Sequence, residues 1–128
     1  MNVNGIDHIV LTVKDIDATC SFYAQVLGMC VTTFSGGRKG LSFGRQRINL
    51  HQYGKEPEPK AKKPTPGSAD LCFVTTVSLS KVVEHLSENG VQIIEGPIQR
   101  TGAAGAILSV YFRDLDENLI EVSTYEIP

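Results

Sequence analysis

One plan is written twice in this chain, at a constant offset of 62 residues that carries His8 onto Asp70, Ile9 onto Leu71, Leu11 onto Phe73, Gly28 onto Gly90 and Val31 onto Ile93. In Asp7 to Val31, and again in Ala69 to Ile93, a polar residue opens a short apolar strand and a helical pattern follows. A glycine then closes the pattern before a second strand. A repeat of this kind limits the fold to paired modules, and points the search for chemistry to matching strand positions in the two halves.

At 128 residues the chain suits one domain spanning 1–128. Two modules of such size are marginal alone and should share a core with each other or with a second subunit. With 41% hydrophobic and 20% charged residues, the composition is that of an ordinary globule. A net charge of -2 gives no general pull toward nucleic acid or an anionic membrane surface. The basic groups at Arg38, Lys39, Arg45 and Arg47, and at Lys60, Lys62 and Lys63, read as solvated surface. No leader is visible at Met1 to Asp7 and no apolar run approaches spanning length, so a cytoplasmic protein is expected. Cys20, Cys30 and Cys72 are scattered and odd in number, which favours reduced thiols over a disulfide framework.

Module one, about 5–53, reads as a strand at Ile6 to Val13 and a helix capped by Asp15 or Asp17 that runs to about Leu27. Gly28 stops it, and strands follow at about Cys30 to Ser35, Gly40 to Phe43 and Arg47 to Tyr53. Residues 54–68, with four prolines, are the linker. Module two, about 69–125, begins with a strand at Leu71 to Thr75 and a helix capped by Ser78 or Ser80 that runs to Glu88. Strands are expected at Gln92 to Ile94, Ile107 to Arg113 and Leu119 to Thr124, with 100–106 as a turn. The predicted class is α+β, two βαβββ modules forming a curled mixed sheet around a cleft.

Alternation sorts the strand residues into two faces. One carries Ile9, Leu11, Val13, Ile48, Leu50, Leu71, Phe73, Ile120 and Val122, and should pack under the helices. The other carries His8, Asn49 and His51, Asp70, and Glu121 with Ser123. His8, His51, Asp70 and Glu121 are two imidazoles and two carboxylates on one side of a sheet. Such a donor set suits Zn, Ni, Co, Mn or Fe(II), whose charge the acids offset. Their sequence spacing forms no local metal motif, and a single strand histidine is more often an ordinary polar residue than a ligand. His85, in a helix away from the others, needs only a surface role.

The segments DHIVLTVKDID, FYAQVLGM, RINLH, GSADLCF and SVYFRDLDENLIEVS resemble the glyoxalase and bleomycin-resistance proteins of the vicinal oxygen chelate superfamily over nearly the whole chain. FGRQRINLH, GKEPEPKA and RTGAAG are similar to its glyoxalase domain-containing branch. The resemblance implies paired βαβββ modules around one divalent metal. It carries the ligand positions onto His8, His51, Asp70 and Glu121, in the order His, His, Asp, Glu where a glyoxalase usually has His, Glu, His, Glu. Asp70, one methylene shorter than Glu, is the doubtful ligand and a candidate base beside Glu121. The common DPDGN turn reads DLDEN, which implies a looser turn at Asp114 to Asn118.

The expected function is a divalent-metal enzyme acting on a small substrate with vicinal oxygens, by isomerase, lyase or dioxygenase chemistry, in a homodimer. The alternative is a non-catalytic module that sequesters a small molecule. Arg100, Arg113 and Lys55 are candidate contacts for an anionic substrate.

Overall fold

The computed structural model describes residues 1–128, which divide into a first unit, Met1–Gly67, and a second, Ser68–Pro128. In the first unit, β1 (His8–Val13) leads through Asp15 into α1 (Ile16–Leu27). The Asp15 carboxylate accepts the Ala18 N–H at 3.0 Å, satisfying a donor that the first helical turn leaves unpaired. Gly28 ends the helix at φ 68, a left-handed conformation that costs glycine little. Then come β2 (Cys30–Phe34), a single 3-10 turn, β3 (Arg38–Phe43) and β4 (Gln46–Gln52).

These strands form a sheet in the order β1-β4-β3-β2. β1 runs parallel to β4, with His8 opposite Arg47 and Thr12 opposite His51, and the other pairs are antiparallel. Leu11, Val13, Leu41, Ile48 and Leu50 turn to one face and are buried beside Tyr23 and Val26 of α1. Burying each such side chain contributes about 1.5–3 kcal/mol.

The second unit repeats the design with β5 (Asp70–Val74), α2 (Leu79–Glu88), β6 (Glu95–Gly102), β7 (Gly105–Arg113) and β8 (Leu119–Thr124). Its order is β5-β8-β7-β6, with β5 parallel to β8. Gly90, the partner of Gly28 in the repeat, has φ 69. Ser78 precedes α2 without making a side-chain cap bond. The core holds Leu79, Leu86, Val110, Phe112, Ile120 and Val122.

The fold is thus α+β, two βαβββ modules each with its own four-stranded mixed sheet. Three sequence expectations shift. Residues 92–94 are not a strand; the strand is Glu95–Gly102, and it consumes the first part of the expected turn. Gly96-Pro97 lies in β6, an edge strand whose register shifts between Glu95 and Ile98, where proline is tolerated. The 114–118 turn is not loose. Asp114 Oδ1 accepts the backbone N–H groups of Asp116 and Asn118 at 3.0 and 2.9 Å, and Oδ2 accepts Asn118 Nδ2 at 2.8 Å. Glu117 takes φ 69 there, the conformation a glycine would supply.

Candidate functional site

The second sheet presents Cys72, Glu121 and Tyr111 in one row across β5, β8 and β7. Ser123 and Ser109 form the next row on the same face. Both serines are fully buried, and burial of two hydroxyls demands partners. They find them around Glu121. Ser109 donates to Glu121 Oε2 at 2.6 Å, Ser123 donates to the same oxygen at 3.2 Å, and the two hydroxyls lie 2.6 Å apart. The Cys72 thiol lies 3.2 Å from Ser123 Oγ. Burial foremost pushes the Cys72 thiol pKa up, the Ser123 hydroxyl opposes the shift, and the Glu121 carboxylate adds to it.

On the other side of Glu121, burial is the leading cause of a raised Tyr111 pKa, and the Glu121 carboxylate adds to it. Arg100 Nε donates to the Tyr111 hydroxyl at 3.1 Å, while its Nη2 reaches Glu95 at 3.0 Å. These groups wall a cavity of about 410 Å³ that lies wholly within the second unit, with Thr101, Ala103, Ile107 and Tyr125 also lining it. The Tyr125 hydroxyl accepts the Ala104 N–H at 3.0 Å and ties down the turn between β6 and β7. One cation, one carboxylate and two phenols therefore line a partly open space fit for a small polar molecule.

Asp70, two residues before Cys72 on β5, is exposed at the start of the strand. In the first unit His8 has the matching place at the start of β1. It is exposed, and its Nδ1 lies 2.8 Å from Asp7 Oδ2. That bond fixes the ring and leaves Nε2 for an acceptor or an ion, the arrangement usual for a ligating histidine.

His51 does not sit beside His8. His8 is opposite Arg47 on β4, and His51 is four residues further on, opposite Thr12. That places the two about 14 Å apart between Cα atoms at ordinary strand spacings, too far for parallel side chains to share an ion. The register makes Asn49, two residues beyond His8's partner, the counterpart of Glu121, which stands two beyond Asp70's partner Leu119. His51 corresponds instead to Ser123. Burial first, then Arg38, lower the His51 pKa against a smaller opposing effect of Glu56, so it is a neutral imidazole at pH 7.

No three or more His, Cys, Asp or Glu side chains gather as a metal-binding group in either unit. The available donors are His8 in the first, and Asp70 and Glu121 in the second. Imidazole nitrogen and carboxylate oxygen are both donor types that a borderline divalent ion accepts. Alternation along 107–111 would have revealed Ser109 and Tyr111 beside Glu121, but neither is a titratable ligand type that draws notice in sequence. The cysteines are free, as expected, and no helix is long and apolar enough to cross a membrane.

Comparison with known proteins gives these features a context. The family model of the Glyoxalase/Bleomycin resistance protein/Dioxygenase superfamily matches residues 5–122. The glyoxalase domain-containing protein RDO1 of Mycosarcoma maydis is 56% identical, over 98% of this chain and 71% of its own length. The virulence protein STM3117 of Salmonella typhimurium is 55% identical over 98% of this chain and 87% of its own. Its crystal structure superposes with a TM-score of 0.96 over 98% of this chain and 99% of that one. The metallothiol transferase FosB of Shouchella clausii is 29% identical over 95% of this chain and 81% of its own. The chain belongs to the glyoxalase, bleomycin-resistance and dioxygenase superfamily.

Proposed function

We propose that this protein is a divalent-metal-dependent enzyme of the glyoxalase type, acting on a small substrate that carries two neighbouring oxygens. The observation that carries the reading is the Glu121 carboxylate, held on Oε2 by buried Ser109 in the wall of a cavity. A carboxylate fixed in this way suits repeated proton transfer or ion binding better than a free surface acid. The relative named a metallothiol transferase supports a metal in this family.

His8, Asp70 and Glu121 are the proposed ligands of one divalent ion, of the group Zn, Ni, Mn, Co and Fe(II), and His51 stands outside this set. When bound, the ion would supply Lewis-acid polarisation of the substrate oxygens. Glu121 or Asp70 moves the proton. Ser109 and Ser123 hold the Glu121 carboxylate in one orientation, so little reorganisation accompanies its change of charge. Arg100, braced by Tyr111, attracts and orients an anionic part of the substrate. A homodimer is part of the proposal.

Thermal melting with each of the five ions tests the reading, because a ligand bound only by the folded state raises the midpoint. At least one ion should raise the midpoint of the parent and leave His8→Ala and Glu121→Gln unmoved. If none does so, the reading fails. Methylglyoxal with glutathione is expected to be a poor substrate, since the proposed set of one histidine, one aspartate and one glutamate is a donor short of the four usual in a glyoxalase.

A further inference from the structure

The cavity that Glu121 lines runs along β8. Glu121 on that strand and Tyr125, one residue past its end, both line it, and extended chain at ordinary strand spacing sets their Cα atoms about 13 Å apart. Val74, opposite Ser123, is level with the middle of this span, and Ile107 and Ala103 stand at the Tyr125 end. At about 410 Å³ the space is at the lower end of small-molecule sites, which run from about 300 to 1,000 Å³. It suits a short, elongated ligand.

Around Glu121 the hydroxyl protons are committed. Ser109 and Ser123 donate to the carboxylate, and the Tyr111 hydroxyl, which accepts the Arg100 Nε–H, gives its own proton to Glu121. Arg100 spends Nε on Tyr111 and Nη2 on Glu95, which leaves Nη1 for an anion. Tyr125 is placed differently. Its hydroxyl accepts the Ala104 N–H at 3.0 Å, a bond that uses a lone pair and leaves the phenol proton without an acceptor in the protein. Gly102 fixes where that hydroxyl stands. Its φ lies outside the left-handed region, so the backbone does not require glycine there, but a Cβ would stand 2.6 Å from the Tyr125 hydroxyl and 2.9 Å from Ile107 Cγ2. The missing side chain seats the hydroxyl at the cavity wall, which Gly102 and Ile107 both line.

We propose that Tyr125 is a specificity-determining residue, whose hydroxyl donates to an uncharged carbonyl oxygen at the end of the substrate remote from its anionic group. The substrate class is then a small amphipathic acid, anionic where Arg100 meets it, apolar along Val74 and Ile107, and oxygenated again at its tip. As a statement about substrate this rests on the enzyme reading given above. The binding itself needs no ion, because neither Tyr125 nor Arg100 is a proposed metal ligand.

The test uses the full chain in EDTA and two acids of matched shape, para-acetylphenylacetate and para-isopropylphenylacetate, of which only the first carries the ketone oxygen. Affinities come from NMR titration of the Gly102, Ala103 and Ile107 amides. Both acids should bind the parent saturably. Tyr125→Phe should lower the ratio of acetyl to isopropyl affinity by about fivefold, the loss of one neutral hydrogen bond. Arg100→Gln should weaken both acids alike, by about tenfold, and keep the ratio. An unchanged ratio in Tyr125→Phe, whether or not both affinities fall, would show the hydroxyl serving only the turn between β6 and β7 and would overturn the proposal. So would a parent that binds neither acid saturably. The chelator separates either result from a failure of the metal reading, which the melts with added ions report independently.

Discussion

Ser109 Oγ, fully buried on β7, donates to Glu121 Oε2 on the neighbouring β8 at 2.6 Å. This bond joins the packing of the second unit to its chemistry, because the hydroxyl that orients the carboxylate is inaccessible to water. Ser109→Ala should cost about 2 kcal/mol in a denaturant titration, the usual worth of a buried hydrogen bond to a charged group. It should also weaken divalent-ion binding about tenfold, as loss of a partner to a ligand does. Unchanged ion affinity would separate Ser109 from the site.

The turn at 114–118 makes a prediction of opposite sign. Glu117 sits at φ 69, where a side chain costs about 1 kcal/mol relative to glycine. Glu117→Gly should therefore stabilise the fold by about 0.5–1 kcal/mol, whereas Asp114→Ala, which strips three hydrogen bonds from the turn, should destabilise it by about 2–4 kcal/mol. Chemical denaturation of the pair checks both signs.

The pH dependence follows from His51. Its pKa in the folded chain lies below the ordinary 6.5, chiefly through burial, so the unfolded chain binds the proton more readily. The stability it contributes is complete above pH 6.5 and is lost as pH falls from there through the folded pKa. His51→Gln should flatten that part of the stability curve. An NMR titration of the His51 ring with a midpoint at or above 6.5 would contradict the assignment.

Core packing supplies a control free of the site. Phe112 is fully buried, and Phe112→Ala should cost about 3–5 kcal/mol. Leu115, 56% exposed, should tolerate alanine within about 0.5 kcal/mol. Equal effects in a thermal melt would contradict the burial described for β7.

Much of this fold was legible in the chain because its signals are local. The Asp15 cap, the Gly28 and Gly90 stops and the alternation of Leu119–Thr124 each act within a few residues. The register sets His51 four residues beyond the partner of His8 and matches Asn49 with Glu121. The repeat offset of 62 holds through the helices, but by the last strand of each unit it has grown to 72, as Asn49 and Glu121 show. The β2–β3 hairpin turns at 35–37, whereas β6 and β7 run on to a turn at 103–104, so the offset is already 71 at Gly40 and Tyr111 and a constant offset cannot pair the strands that follow. Ser109 went unnoticed because its role depends on a neighbour twelve residues away, and a serine carries no signature of such a contact in sequence.

The central claim, a divalent ion held by His8, Asp70 and Glu121, is tested most directly by elemental analysis of protein purified without a metal-binding tag. The account predicts about one divalent ion for each set of these three donors in the parent, and a loss of most of it in His8→Ala, Asp70→Asn and Glu121→Gln, with His51→Gln retaining it. A parent without stoichiometric metal after supply of all five ions, or variants that hold as much metal as the parent, would contradict it.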